Sequence, residues 1–429
     1  MRRRRFMGLT AGLTSAIGLS ATTTACGGSG GGDGHLRMLA AELTDDGSSQ
    51  RYWEELVADF NAEHPDIQVT VTLVPFAEAT EEAARLVAEG DAPDLAQLAS
   101  FAEFATQGQL YSANDVLNVP VQSDFIPAVA AAGEVRRIQY AMPVFAIIQR
   151  LFYNKALFDQ AGLDPDSPPQ SWNELLDAAS ALRTADVPIP FGLPFGHSDS
   201  HVEAVLWMLA GGGHLTDAAG SYTIESPANV ETFTWLRDEL TGQGLTGEAK
   251  PEETGRHDLY EQFVSGRVGM LTADPMLLPL CEAAGLDAGT GTVPGRRGAS
   301  LSTVGEASWL LAFNQHGKRE QIGTFLNWAF SGGYENVSGF ADENQLLPIS
   351  TPTSQAMAVS DSPNHQRLRP FIDELPSATF FPSGKVSWNT VALDISREIG
   401  NTVREGSDVA DILGRLQSAA EEADRDAEA

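Results

Sequence analysis

His197 and His201 stand four residues apart, a spacing at which two imidazoles on one helix face can share a metal ion. No third ligand accompanies them, and the residues between read as a loop running into a helix. The pair is therefore expected to be polar loop chemistry, with no metal. Two motifs that would mark chemistry are missing: His-Glu-x-x-His and the Gly-x-x-x-x-Gly-Lys-Ser/Thr phosphate loop. With 58 acidic residues, some carboxylate pairs must fall at glycosidase spacing by chance, so acidity alone is no argument for hydrolysis. Nothing calls for a cofactor, and the chain is not expected to be an enzyme. A net charge of -31 disfavours nucleic acid and anionic lipid and leaves neutral or cationic small molecules as fitting ligands.

The elements that must position any ligand group begin with a strand–helix alternation. His35–Ala40 is short and apolar, and Trp53, Leu56, Val57 and Phe60 recur at helical spacing. Ile67–Val74 is β-branched and alternating, Glu78–Glu89 is rich in Ala and Glu, and Asp94–Leu98 is another strand. Such an order predicts a parallel sheet whose ligands sit beyond the carboxyl ends of its strands. That puts the loop Glu42–Ser49 and the segment Ala99–Glu103 on one mouth. Further on, Ser171-x-x-Glu174 is a capping box, and Ser226-Pro227 opens another helix. Trp172, Trp235, Trp328 and Tyr153 are expected to be structural, and Trp207 core.

The first 34 residues carry a different message. Arg2–Arg5 precede a weakly apolar run, Phe6–Leu19, too short to span a bilayer, which takes roughly 20 apolar residues. A basic start, a short apolar segment and a small-residue site make an export signal, residues 1–25. Cys26 sits where a bacterial lipoprotein is cleaved and lipidated, although Thr23 stands where such a box usually has Leu. Residues 26–34 then form a glycine-rich tether. The protein is expected to be exported and held on the outer face of the membrane by a lipid on Cys26. Arg3-Arg4-Arg5-Phe6-Met7 fits a twin-arginine signal and a plain basic start equally well, so the export route stays open. Removing residues 1–25 would delete four arginines and no acids, making the balance still more negative. The other cysteine, Cys281, lies in the apolar run Leu277–Leu280 and is expected to be a buried, inert thiol.

Several strings, in order, resemble the extracellular solute-binding proteins of bacterial ABC importers, the family that includes carbohydrate and maltose binders. They are Gly90-Asp91-Ala92-Pro93-Asp94-Leu95, Tyr140–Pro143 with Leu151–Phe158, and Pro169–Leu175. Phe263–Met270, Gly305–Trp309 and Trp388–Val391 continue the series, which runs from about residue 36 to 418. The resemblance implies an α/β, two-lobe periplasmic-binding-protein-like fold with a hinged interlobe cleft. Lobe one would hold 35–144 and 292–330, lobe two 145–291 and 331–420, and 421–429 would be an acidic tail. The hinge would include Val144–Ile147, and the partners would be a small-molecule carbohydrate and the permease subunits that read the closed form. A monomer is implied.

A sugar needs aromatic faces for its C–H surfaces and planar polar groups for its hydroxyls. The candidates are Asp45 and Asp46 in the first mouth loop, Phe101, Phe145, His201, Asp274, Glu306, Trp309 and Trp388. Two other readings stay open: the same fold binding a polyamine or another non-sugar solute, and a secreted carbohydrate-active enzyme, for which no carboxylate pair is singled out.

Overall fold

A computed structural model describes residues 34–43, 47–76, 78–196, 199–331 and 344–428. The export signal, Cys26 with the tether up to Asp33, Asp45, Asp46 and His197 lie outside the described residues. Strands β1 (His35–Glu42), β2 (Gln68–Pro75) and β3 (Leu95–Leu98) alternate with helices α1 (Ser48–Glu63) and α2 (Ala79–Ala88). β1 lies between the other two and parallel to both. Leu36, Met38 and Ala40 on one face of β1 and Leu39 and Ala41 on the other enter different cores, which is why the strand reads as a continuous apolar run. β2 is the sheet edge and alternates instead, with Val69 buried between exposed neighbours. The Asn61 side chain pins that edge to α1: it accepts from the Val69 N–H at 2.7 Å and donates to the Val69 carbonyl at 3.0 Å.

The other strands of the two main sheets are β4 (Ala141–Ile148), β5 (Arg150–Asn154), β6 (Ile189–Gly192), β7 (Val268–Ala273), β8 (Ala288–Gly291), β9 (Val304–Ala312) and β10 (Thr379–Phe380). The first sheet runs β10-β9-β3-β1-β2, with β4 also antiparallel to β9. The second runs β8-β5-β7-β6. This is the two-lobe α/β architecture that the sequence predicts.

Val144–Ile147, the expected hinge, lies inside β4, which stays paired with β9 through Ile148. The chain changes sheets one residue later, at Gln149. The buried Gln149 donates its backbone N–H to Val304 and its carbonyl accepts from the Thr303 hydroxyl, so the outgoing and returning crossings are tied together. Within β4 the register shifts opposite Ser308 and Trp309, leaving Val144 as the extra residue of a bulge.

Helix α3 (Trp172–Thr184) starts at the expected capping box: Ser171 Oγ accepts from the Glu174 N–H, and the Glu174 carboxylate accepts from the Ser171 N–H. Trp172 stacks on Trp235 of α5 (Pro227–Trp235) at 4.2 Å between ring centroids. Between these elements runs α4 (Ser200–Ala210), a helix covered on nearly every side, with only His201 half-buried. Trp207 is core, as expected, and donates its indole N–H to Glu203 at 2.7 Å.

Helices α6 (Arg256–Val264), α7 (Arg319–Ala329), α8 (Trp388–Glu398) and α9 (Val409–Glu428) complete the elements used below. The expected acidic tail is the end of α9, helical to Glu428. Lys385 and Ser387 both donate to the Asp424 carboxylate, and Ala420 is buried, so this turn is anchored. Cys281 is buried, and burial pushes its thiol up to about 12, consistent with inert packing. Among the described residues, no helix is long and apolar enough to cross a membrane.

Candidate functional site

Leu43, Phe76 and Ala99 each follow directly on a strand of the parallel core, β1, β2 and β3. They open one side of a cavity of about 630 Å³. Residues beyond the carboxyl ends of β1–β3 thus border the cavity, as the strand order predicts. β4 and β9 supply the floor: Phe145 and Ile147, two apart on β4, face it together with Gly305, Glu306 and Ser308. The bulge at Val144 precedes Phe145 and resets which side chains turn to the cavity. α4 and α8 close the other wall with His201, Trp388, Asn389 and Ser396.

The aromatic wall is built by stacking. The Phe381 and Trp388 rings lie 4.9 Å apart at 26°, and His201 meets the Trp388 ring edge-on at 5.9 Å. His201 Nδ1 lies 3.0 Å from Ser396 Oγ, and Ser200 Oγ donates to the Ser396 carbonyl at 3.0 Å, which fixes α4 against α8. Phe380 pairs with Gly305 across β10 and β9. A Cβ on Gly305 would come within 2.9 Å of the Phe380 ring, so glycine is the residue that lets this ring close on the floor strand.

Glu306 is the carboxylate of that floor. It is half-buried and makes no hydrogen bond or ion pair within the described chain. Burial raises its carboxyl to about 7; Arg256 pulls it down, while Asp274 and Asp199 push it further up. Arg256 is not a free counter-ion. It donates to Gln149 Oε1, to the Thr272 carbonyl and to Glu203, at 3.0 to 3.1 Å. Glu203, wholly buried, also accepts from Trp207 and Thr272. This network lies under the wall and reaches the sheet crossing at Gln149. No lysine or arginine is among the described residues that line the cavity.

Five of the expected ligand residues thus line one cavity: Phe145, His201, Glu306, Trp309 and Trp388. Trp309 contributes little open surface, being 1% exposed. Phe101 is packed edge-on against Trp309 at 5.5 Å and does not line the cavity, because the strand end turns it into the core. Asp274 is drawn beneath the wall: its carboxylate accepts from the Tyr260 hydroxyl at 3.0 Å and from the Met276 N–H at 2.9 Å. Met276 takes the place at the cavity that Asp274 was expected to hold. Phe380, Phe381 and Asn389 were not anticipated. The Phe-Phe pair ahead of Pro382 and Gly384 was the available signal. Among the described residues, no group of three or more His, Cys, Asp or Glu is arranged to hold a metal.

Residues 46–336 match the sequence model of the bacterial extracellular solute-binding proteins. A protein of Brucella abortus (strain 2308), named only as a binding protein, is 25% identical over 426 residues, covering 97% of each chain. The sn-glycerol-3-phosphate-binding periplasmic protein of Salmonella typhimurium is 25% identical over 256 residues, 54% of each chain. Among solved structures, the cyclic alpha-maltosyl-1,6-maltose binding protein of Arthrobacter globiformis is similar, with a TM-score of 0.77, 19% identity and coverage of 91% of this chain and 99% of that one.

Proposed function

Because this chain belongs to the bacterial extracellular solute-binding protein family, we propose that it captures a sugar, a mono- or oligosaccharide, and delivers it to the permease of an ABC importer. It does so as a binding protein without turnover, exported and held on the outer face of the membrane by a lipid on Cys26. The observation that carries the sugar reading is the cavity lining. The stacked Phe381 and Trp388, with Phe145, offer faces for the C–H surfaces of a sugar ring. Glu306, Asn389, His201 and Ser396 offer groups for its hydroxyls. The Arthrobacter protein, whose name gives it a cyclic maltose-type ligand, supports the same reading.

A phosphate ester such as the Salmonella protein's ligand fits poorly. Phosphate recognition relies on Arg, Lys or helix N-termini; the described lining holds no lysine or arginine, and although α4 and α8 begin at the cavity, Asp199 at the start of α4 and Glu306 on the floor disfavour an anion there. A polyamine would want a channel lined mainly with carboxylates, and here aromatic rings outnumber them. We put the hinge at Gln149 and Thr303, where two crossings meet, and closure of the lobes about that point would trap the ligand.

Thermal melting of the full chain against sugars, polyamines and sugar phosphates tests the reading. A ligand at 100 times its dissociation constant stabilises by about 2.7 kcal/mol, a visible shift. A shift with a sugar class supports the proposal. A shift with sugar phosphates alone, or with polyamines alone, refutes it.

A further inference from the structure

Glu306 is an ionisable side chain at the floor of an aromatic-lined cavity, with no hydrogen-bond or ion-pair partner among the described residues. Three described carboxylates around it or beneath the wall either have donors or face solvent. Asp274 holds the Tyr260 hydroxyl and the Met276 N–H, Glu203 holds Arg256, Thr272 and Trp207, and Asp199 is exposed at the start of α4. Arg256, the cation whose charge acts on Glu306, spends its donors on Glu203, Gln149 and Thr272 and does not line the cavity. His201, the one basic-type side chain on the described lining, has Nδ1 on Ser396. The described groups therefore give the cavity carboxylates and no lysine or arginine.

We infer that the solute is a sugar bearing a protonated amine, whose ammonium pairs with Glu306 against the aromatic faces of Phe145, Phe381 and Trp388. The inference rests on the sugar reading above and adds the charge. An ammonium beside a carboxylate and over ring faces satisfies both a salt bridge and the ring quadrupole, so one group of the ligand meets two features of the cavity. A neutral sugar offers Glu306 hydroxyl hydrogen bonds and no counter-charge, so below about 7 it leaves the carboxyl protonated. The two cases differ in proton balance. An ammonium entering below the range where Glu306 ionises displaces the carboxyl proton to solvent, with Asp199, Asp274, Arg256 and His201 as the other charged or titratable groups around it.

The test is calorimetric titration of the full chain at pH 6 with spermidine and with two matched pairs: D-glucosamine against D-glucose, and β-1,4-linked diglucosamine against cellobiose. Each is run in two buffers of different ionisation heat. The expected result is at least tenfold tighter binding of the amine member of one pair, with net proton release. In Glu306→Gln that preference should fall to within about threefold. Equal or tighter binding of the neutral member overturns the charge inference and leaves the sugar reading standing. An amine preference that persists in Glu306→Gln, or comes without proton release, overturns the role of Glu306. Binding of spermidine but of neither pair, or of nothing in the set, overturns the inference, and the spermidine result sinks the sugar reading too. Proton release is read on the unmodified protein, so the test stands even if the variant folds poorly.

Discussion

Replacing Glu306 with Gln should make the unliganded protein more stable at high pH and leave it unchanged at low pH. The carboxyl lies near 4.5 in an unfolded chain and is raised to about 7 in the native cavity, by burial above all. Between those values the native state holds a proton that the unfolded state has lost, so native stability falls as pH rises. The cost is absent below 4.5 and complete above 7. That interval corresponds to about 3 kcal/mol, and partial exposure of the side chain trims it to about 2 kcal/mol. Gln keeps the shape and removes the titration. Urea unfolding of both proteins without ligand, at a series of pH values from 4 to 8, gives the assay. The two curves should coincide at pH 4, part between about 4.5 and 7, and differ at pH 8 by about 2 kcal/mol in favour of Gln. A constant gap at all pH values would mean that Glu306 contributes packing and not charge. A variant less stable at pH 8 would mean that the carboxylate has a partner in the folded protein, and the account of the cavity's charge would fail.

Two further substitutions probe the wall and the network beneath it. Trp388→Ala should lose both ligand affinity and fold stability, the latter by about 3 kcal/mol, because the ring lies in the core as well as on the cavity. Trp388→Phe keeps most of the packing and should weaken the binding of any stabilising sugar by about 1 kcal/mol while the melting temperature of the free protein barely moves; unchanged affinity would exclude Trp388 from the contact. Arg256→Met should cost about 3–5 kcal/mol in chemical unfolding, since it strands the Glu203 carboxylate in the core. A loss below 1 kcal/mol would show that Glu203 can hold a proton there at little cost.

Legibility in the sequence followed the range of the interactions involved. β1 and β3 are set by short apolar runs, β2 by local alternation and the capping box at Ser171 by a contact three residues long, and they stood in the sequence almost to the residue. So did the rule that a parallel core opens its ligand site beyond its strand ends, which Leu43, Phe76 and Ala99 obey. What escaped was decided by partners far along the chain. Asp274 follows β7 as expected, yet the Tyr260 hydroxyl, fourteen residues earlier, turns its carboxylate under the wall. The last turns of α9 look like loose acidic sequence, and Lys385, thirty-nine residues back, is what holds Asp424 in place. The crossing between the sheets shows the same effect in backbone form. Val144–Ile147 has no local feature that distinguishes it from a crossing; only pairing with Glu306–Ser308, some 160 residues on, keeps it in the first sheet and moves the crossing to Gln149. Glu306 combines both cases. Its place beside Gly305 was readable from sequence, whereas its lack of a partner among the described residues is a property of the whole fold: Arg256 is near enough to be felt and is already committed to Glu203 and to the crossing. A site residue of this kind is found from the strand that carries it, and its chemistry from the partners that other segments withhold.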